Sequence, residues 1–150
     1  MPLPNADKVK QISASFGEIV AVLLRSKWHR DLPMTYLERV AVPAVMTGQF
    51  ALAEARSAEH GYQAPVAVVM WACVSNELDR KLAQDPTLLQ KLNRSDWKSG
   101  DNIWIVEAVG KKDAAMGLIE HLRKDRFKGK QVRYREVTES KDVVAKLLPT

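Results

Sequence analysis

The chain has 150 residues, 46% of them hydrophobic, with 23 Lys and Arg against 18 Asp and Glu for a formal net charge of +5. That size and balance suit one domain over residues 1–150 with a single core, and they exclude a disordered or collagen-like chain. The longest apolar run, residues 66–74, falls far short of the ~20 residues a membrane-spanning helix needs, and one cysteine, Cys73, excludes an intrachain disulfide.

The opening MPLPNADKVK lacks the basic and apolar regions of a secretory leader, so a cytoplasmic protein is expected. Val9, Ile12, Phe16, Ile19 and Leu23 recur at helical spacing and predict a helix over 7–25 with Asp7 as its N-cap. Residues 26–33, polar but anchored by Trp28 and Leu32, read as an ordered loop. A second helix is expected from Pro33 to about Thr47, with Gly48 as its stop. The period then changes. Residues 49–56 and 64–74 read as two strands joined by a turn at 57–61, and the second has so little alternation that both its faces should be buried.

Ser75 can cap a following helix, Asp85-Pro86 opens another short one, and 102–109 reads as a third strand ended by Gly110. A helix over 112–127, a short strand over 132–137 and a final helix over 141–148 complete the order. Such an α+β arrangement lets a mixed sheet carry helices on its faces.

Three histidines, His29, His60 and His121, are too scattered for a metal ligand cluster. His60 in a turn and His121 on a helix read as solvated or structural, and Cys73 on a buried strand reads as a small core residue. His29 differs, because it follows Ser26 by three residues in a loop; one helical turn there would put both on one face, where the imidazole could act as a general base. A surface histidine near a helix end is the other reading. Glu107 stands inside the apolar strand IWIVEAV, where an unpaired carboxylate is costly, so it either faces water or has a partner.

Residues 25–33, RSKWHRDLP, resemble the S-x-x-H-R-x-x-P signature of the toxin-activating lysine acyltransferases, which fatty-acylate RTX cytolysins such as hemolysin inside the producing bacterium. Pro43-Ala44 with Gly48-Gln49-Phe50, then Pro65-Val66-Ala67 with Trp71-Ala72, then WKSGDNIW at 97–104 resemble further elements of that family in the same order. The resemblance implies a GNAT-like fold with a mixed, mostly antiparallel sheet, a homodimer, and acyl transfer from acyl carrier protein to internal lysines of an RTX protoxin. It assigns the family's histidine to His29, its serine to Ser26 and its catalytic aspartate to Glu107, one methylene longer. Two departures accompany it: Val40 stands where the family has an active-site asparagine, and the family's central-strand cysteine aligns with Val69, so Cys73 inherits no role.

The resemblance also implies no permanently bound cofactor, with an acyl-acyl carrier protein thioester as co-substrate. Acyl carrier proteins are acidic, and residues 123–135 carry a dense basic stretch in which Arg123, Lys124 and Arg126 are the expected docking cations. A nucleic-acid module would use similar charges, but neither an aromatic RNA motif nor a helix-turn-helix accompanies them. A relative that binds acyl carrier protein or an RTX partner without catalysis is the remaining alternative, suggested by Val40 and Glu107.

Overall fold

The structure, a computed structural model, describes residues 6–56, 58–59 and 61–149. Helix α1 (Ala6–Leu24) buries Ile19, Val22 and Leu23, while Ile12 and Phe16 pack against the same core. Asp7 falls inside the first turn rather than at the N-cap, where its charge still complements the helix dipole. The second expected helix is a rod in three parts: α2 (Met34–Tyr36), a π-helical turn (Leu37–Ala41) and α3 (Val42–Thr47). Pro43 has no N–H to donate and its ring crowds the carbonyl one turn back, so the backbone widens ahead of it. Gly48, left-handed at φ 72°, ends the rod as its position predicts.

Five strands form one sheet in sequence order: β1 (Phe50–Arg56), β2 (Gln63–Val74), β3 (Asn102–Gly110), β4 (Val132–Val137) and β5 (Val143–Leu147). All neighbours are antiparallel except β3 and β4, which are parallel and joined by the crossover helix α5 (Lys112–Lys124). The result is an α+β, GNAT-like architecture. Strand β2 is buried on both faces, as its unbroken apolar run requires. Val68, Met70, Ala72 and Val74 join one core with α1 and α3, and Val69 and Trp71 join the other with Leu122 and Phe127. Ser75 caps α4 (Asn76–Gln84) by accepting from the Leu78 amide, and Asp85-Pro86 opens a 3-10 turn.

Two further expectations are corrected. Residues 141–148 contain strand β5, not a helix. Thr138, Ser140 and Asp142 hydrogen-bond one another across a tight turn with Lys141 at φ 67°, and the returning Val143, Val144 and Ala145 pair with β4. The edge of β4 needed a partner, and that turn chemistry supplied one. Helix α5 ends at Lys124 rather than at 127, because Phe127 folds back to donate its amide to the Leu122 carbonyl and set its ring edge-on to Trp71 at 5.1 Å.

Two irregularities of β3 place the site. Met70 pairs with Glu107 but Trp71 pairs with Ile105, so Val106 is an extra residue, a β-bulge. Beyond it, β3 and β4 part: they pair only where Ile103–Ile105 meet Val132–Tyr134. At its end β3 passes so close to β2 that a Cβ on Gly110 would lie 2.2 Å from the Val66 carbonyl oxygen, which leaves glycine as the residue that fits.

Candidate active site

The bulge decides where Glu107 points. Trp104 and Val106 face the core under α1 and α3, and Ile103 and Ile105 face α5. Strict alternation would send Glu107 toward α5. With Val106 inserted, Glu107 shares the face of its partner Met70, and its carboxylate turns to the α1–α2 side, 9% exposed.

There it meets the loop that follows α1. Ser26 accepts the Arg30 amide on its carbonyl, and its Oγ accepts from the His29 amide at 3.4 Å, an isolated turn that locks the two side chains at one-turn spacing. Ser26 Oγ lies 2.6 Å from His29 Nδ1, and His29 Nε2 lies 3.0 Å from Glu107 Oε2, 78 residues away in sequence. Because a carboxylate only accepts, the network assigns the ring proton to Nε2, which leaves Nδ1 to accept from the Ser26 hydroxyl. Serine, imidazole and carboxylate thus form one hydrogen-bonded chain through which a proton can be taken up and held.

The three residues expected to work together are therefore brought together. Three others in the cluster were not anticipated. Gln90 and Arg135 both donate to Glu107 Oε1, Arg135 at 3.1 Å, and the Tyr36 ring sits 6.0 Å from the His29 ring. Arg135 was legible in part, since Arg133 and Arg135 alternate on a short strand and so must share a face. Gln90 carried no local signal, because a 3-10 turn brings it in from a distant segment.

The basic stretch is not one surface. Arg133 turns inward to both oxygens of Asp79, at 2.7 and 2.6 Å, and Arg135 is committed to Glu107. Of the expected docking cations, Arg123 pairs with Glu120 at 2.7 Å and donates to the Pro149 carbonyl. Lys124 reaches the same Glu120 at 3.7 Å, and Arg126 lies over the Trp71 ring while donating to the Gly48 carbonyl. Lys124 and Arg126 remain exposed, as do Lys128 and Lys130. Cys73 is half-buried against the α5-side core, where burial pushes its thiol above the usual range. His121 is exposed near the end of α5, and His60 lies outside the described residues.

Where β3 and β4 part, a cavity of about 600 Å³ opens on the α5 side, within the size range of ligand pockets. Ile105, Met116, Ile119, Tyr134, Val137 and Leu148 give it apolar walls, and Glu107 and Arg135 also line it. A smaller cleft lined by Arg25, Ser26, Val66 and Lys111 reaches the serine beside the C-terminal end of β3. Among the described residues no cluster of three or more His, Cys, Asp or Glu could hold a metal ion.

Fold and site together define a GNAT-like protein whose bulged strand delivers a carboxylate to a Ser–His pair. The profile of the RTX toxin acyltransferase family matches residues 8–148, and the chain belongs to that family. It is 27% identical over 111 residues to a protein-lysine myristoyltransferase of Kingella kingae, covering 74% of this chain and 61% of that protein. It is 26% identical over 107 residues to an RTX-II toxin-activating lysine-acyltransferase of Actinobacillus pleuropneumoniae, covering 71% and 61%. A protein-lysine palmitoyltransferase of Bordetella bronchiseptica is 27% identical over 96 residues, 64% of this chain and 47% of that protein. The chain spans about three fifths of the length of the first two relatives and about half of the third.

Proposed function

We propose that this chain is a protein-lysine fatty acyltransferase that moves an acyl group from acyl-acyl carrier protein to internal lysines of an RTX protoxin and so activates it. The observation that carries the reading is the Ser26–His29–Glu107 chain, assembled by a bulge that turns a carboxylate away from its alternating face. The cavity between the parting strands suits a long acyl chain on a thioester arm, in keeping with relatives named as myristoyl- and palmitoyltransferases.

The lysine Nζ attacks the thioester carbonyl carbon, a C–N bond forms, and the C–S bond breaks. An unperturbed lysine holds its ammonium proton to a pKa near 10.4, so that proton goes to solvent before attack, and the second one, released from the nitrogen as the C–N bond forms, must be removed at the reacting centre. Ser26 Oγ passes it to His29 Nδ1, and Glu107 holds the resulting imidazolium through Nε2–H. The imidazolium then returns the proton to the departing thiolate, which leaves as the carrier's thiol. The donor is an acidic carrier docked on Lys124 and Arg126 near the end of α5, with Arg123 tied to Glu120 beside them. The same proposal includes a homodimer, which sedimentation measures directly.

Coexpression of this chain with an acyl carrier protein and a candidate RTX acceptor, followed by intact mass spectrometry of the acceptor, tests the reading. Each modified lysine adds one acyl mass, and His29→Ala removes the addition. An acceptor left unmodified by wild type, with the carrier still bound, would instead establish the non-catalytic relative that Val40 suggests.

A further inference from the structure

The Tyr36 hydroxyl is the uncommon feature beside this site. It is buried and has no hydrogen-bond partner among the described residues, although the residue is only 9% exposed. An orphaned buried hydroxyl is costly, and such groups are rare in native folds. Its helix does not require it: a phenylalanine would fill the same space against the core without that cost. Val40, one turn on along the same rod, is fully buried and apolar, so nothing on the rod itself answers the hydroxyl.

What lies beside it is Glu107: after burial, that carboxylate's charge and, as the smallest cause, its hydrogen-bonding pull on the hydroxyl, longer than a formed hydrogen bond, hold the phenol protonated well above its usual range, while Arg135 acts in the opposite direction. The carboxylate's accepting positions are nearly filled. Oε1 takes Gln90 and Arg135, and Oε2 takes His29, which leaves one position open on Oε2. Hydrogen bonds of a catalytic group are often long in the resting protein and tighten only when the reacting complex forms.

We propose that Tyr36 is a positioning residue for the Glu107–His29 pair, its buried hydroxyl being the fourth donor that closes on Glu107 Oε2 when His29 takes up a proton. With all four positions occupied, Glu107 stays a carboxylate through the cycle and the proton stays on the imidazole, from which it must be returned to the leaving thiolate. This role rests on the acyl-transfer reading of the site, yet its main readout needs no transfer.

The test is Tyr36→Phe, which deletes one oxygen. The imidazole Nε2 proton of His29, followed by nitrogen-15-edited NMR at a pH low enough to protonate the ring, is expected to move downfield, because Glu107 then accepts from the imidazolium with one competitor fewer. Thermal stability is expected to hold or rise. The same change in a Glu107→Gln background should leave the Nε2 proton where that background has it, since the effect travels through the carboxylate. Tyr36→Leu carries the same readout should the phenylalanine ring repack. In the transfer assay, kcat should fall about fivefold, the worth of one ordinary hydrogen bond, with KM unchanged. An unmoved Nε2 proton in Tyr36→Phe, or an equal shift with and without Glu107, overturns the proposal. A wild type that transfers no acyl group overturns the acyl-transfer reading and leaves the NMR result to decide the Glu107 contact.

Discussion

Two carboxylates packed against this sheet receive an arginine from the same strand, and only one of them also meets an imidazole. Arg133 and Arg135, two residues apart on β4, reach Asp79 and Glu107 respectively. Asp79, on α4, is completed by the Trp104 indole N–H at 2.8 Å, so each of its donors keeps one charge state at any ordinary pH. That cluster ties α4 to β3 and β4. Glu107 is completed by Gln90 and by an imidazole that itself leans on a serine. A paired, partly buried carboxylate is therefore a poor sign of function. The titratable third party is what separates scaffold from chemistry.

The widest separation of the two clusters is expected from His29→Ala, which should lower acyl transfer by about 10²–10⁴-fold, the range for loss of a general base. Thermal unfolding should hardly change, because Glu107 keeps Gln90 and Arg135. Glu107→Gln should cost a comparable factor, since a neutral amide cannot hold the imidazolium. Glu107→Asp should retain part of the rate, because the carboxylate survives but withdraws by about 1 Å from His29. Single-turnover rates with purified acyl-carrier thioester measure all three.

Asp79→Ala should do the reverse. It orphans the Trp104 indole and unpairs Arg133, so unfolding should become easier by about 1–3 kcal/mol in urea melts, while turnover per folded molecule stays at the wild-type level. A lost rate without lost stability would show that the two clusters are coupled.

The surface cations come next in size. Reversing Lys124 and Arg126 should weaken carrier binding several-fold, with wild-type affinity falling as salt rises. Arg133→Ala should instead act as Asp79→Ala does, on stability. Isothermal titration at two ionic strengths distinguishes them.

The smallest effect concerns alkaline pH. The Tyr36 phenol is raised in the fold above its unfolded value near 10, so its contribution to stability is full below pH 10 and is lost as pH rises beyond it. Tyr36→Phe should therefore unfold less readily than wild type above pH 10, with the difference shrinking toward neutrality. Melting curves at pH 8 and 11 record it.

Much of the architecture could be read from short stretches of chain. The Ser75 cap, the Gly48 stop and the buried β2 strand each depend on a few neighbours, and the structure keeps them. The 141–148 segment could not be read this way. Eight residues with several apolar members fit a short helix as well as a strand, and the decision fell to the hairpin turn and to the open edge of β4.

The same division runs through the site. Sequence alone put Ser26 and His29 three residues apart, which permits their contact if one turn forms there, and the order of family motifs pointed to Glu107 as the third member. Only the tertiary structure decided that Glu107 faces them. Facing depends on the parity of β3 against β2, and one inserted residue, Val106, reverses that parity without any mark in the local pattern. Gln90, Arg135 and Tyr36 arrive from three separate elements, so their convergence is a property of strand register and helix packing, which no run of neighbouring residues encodes.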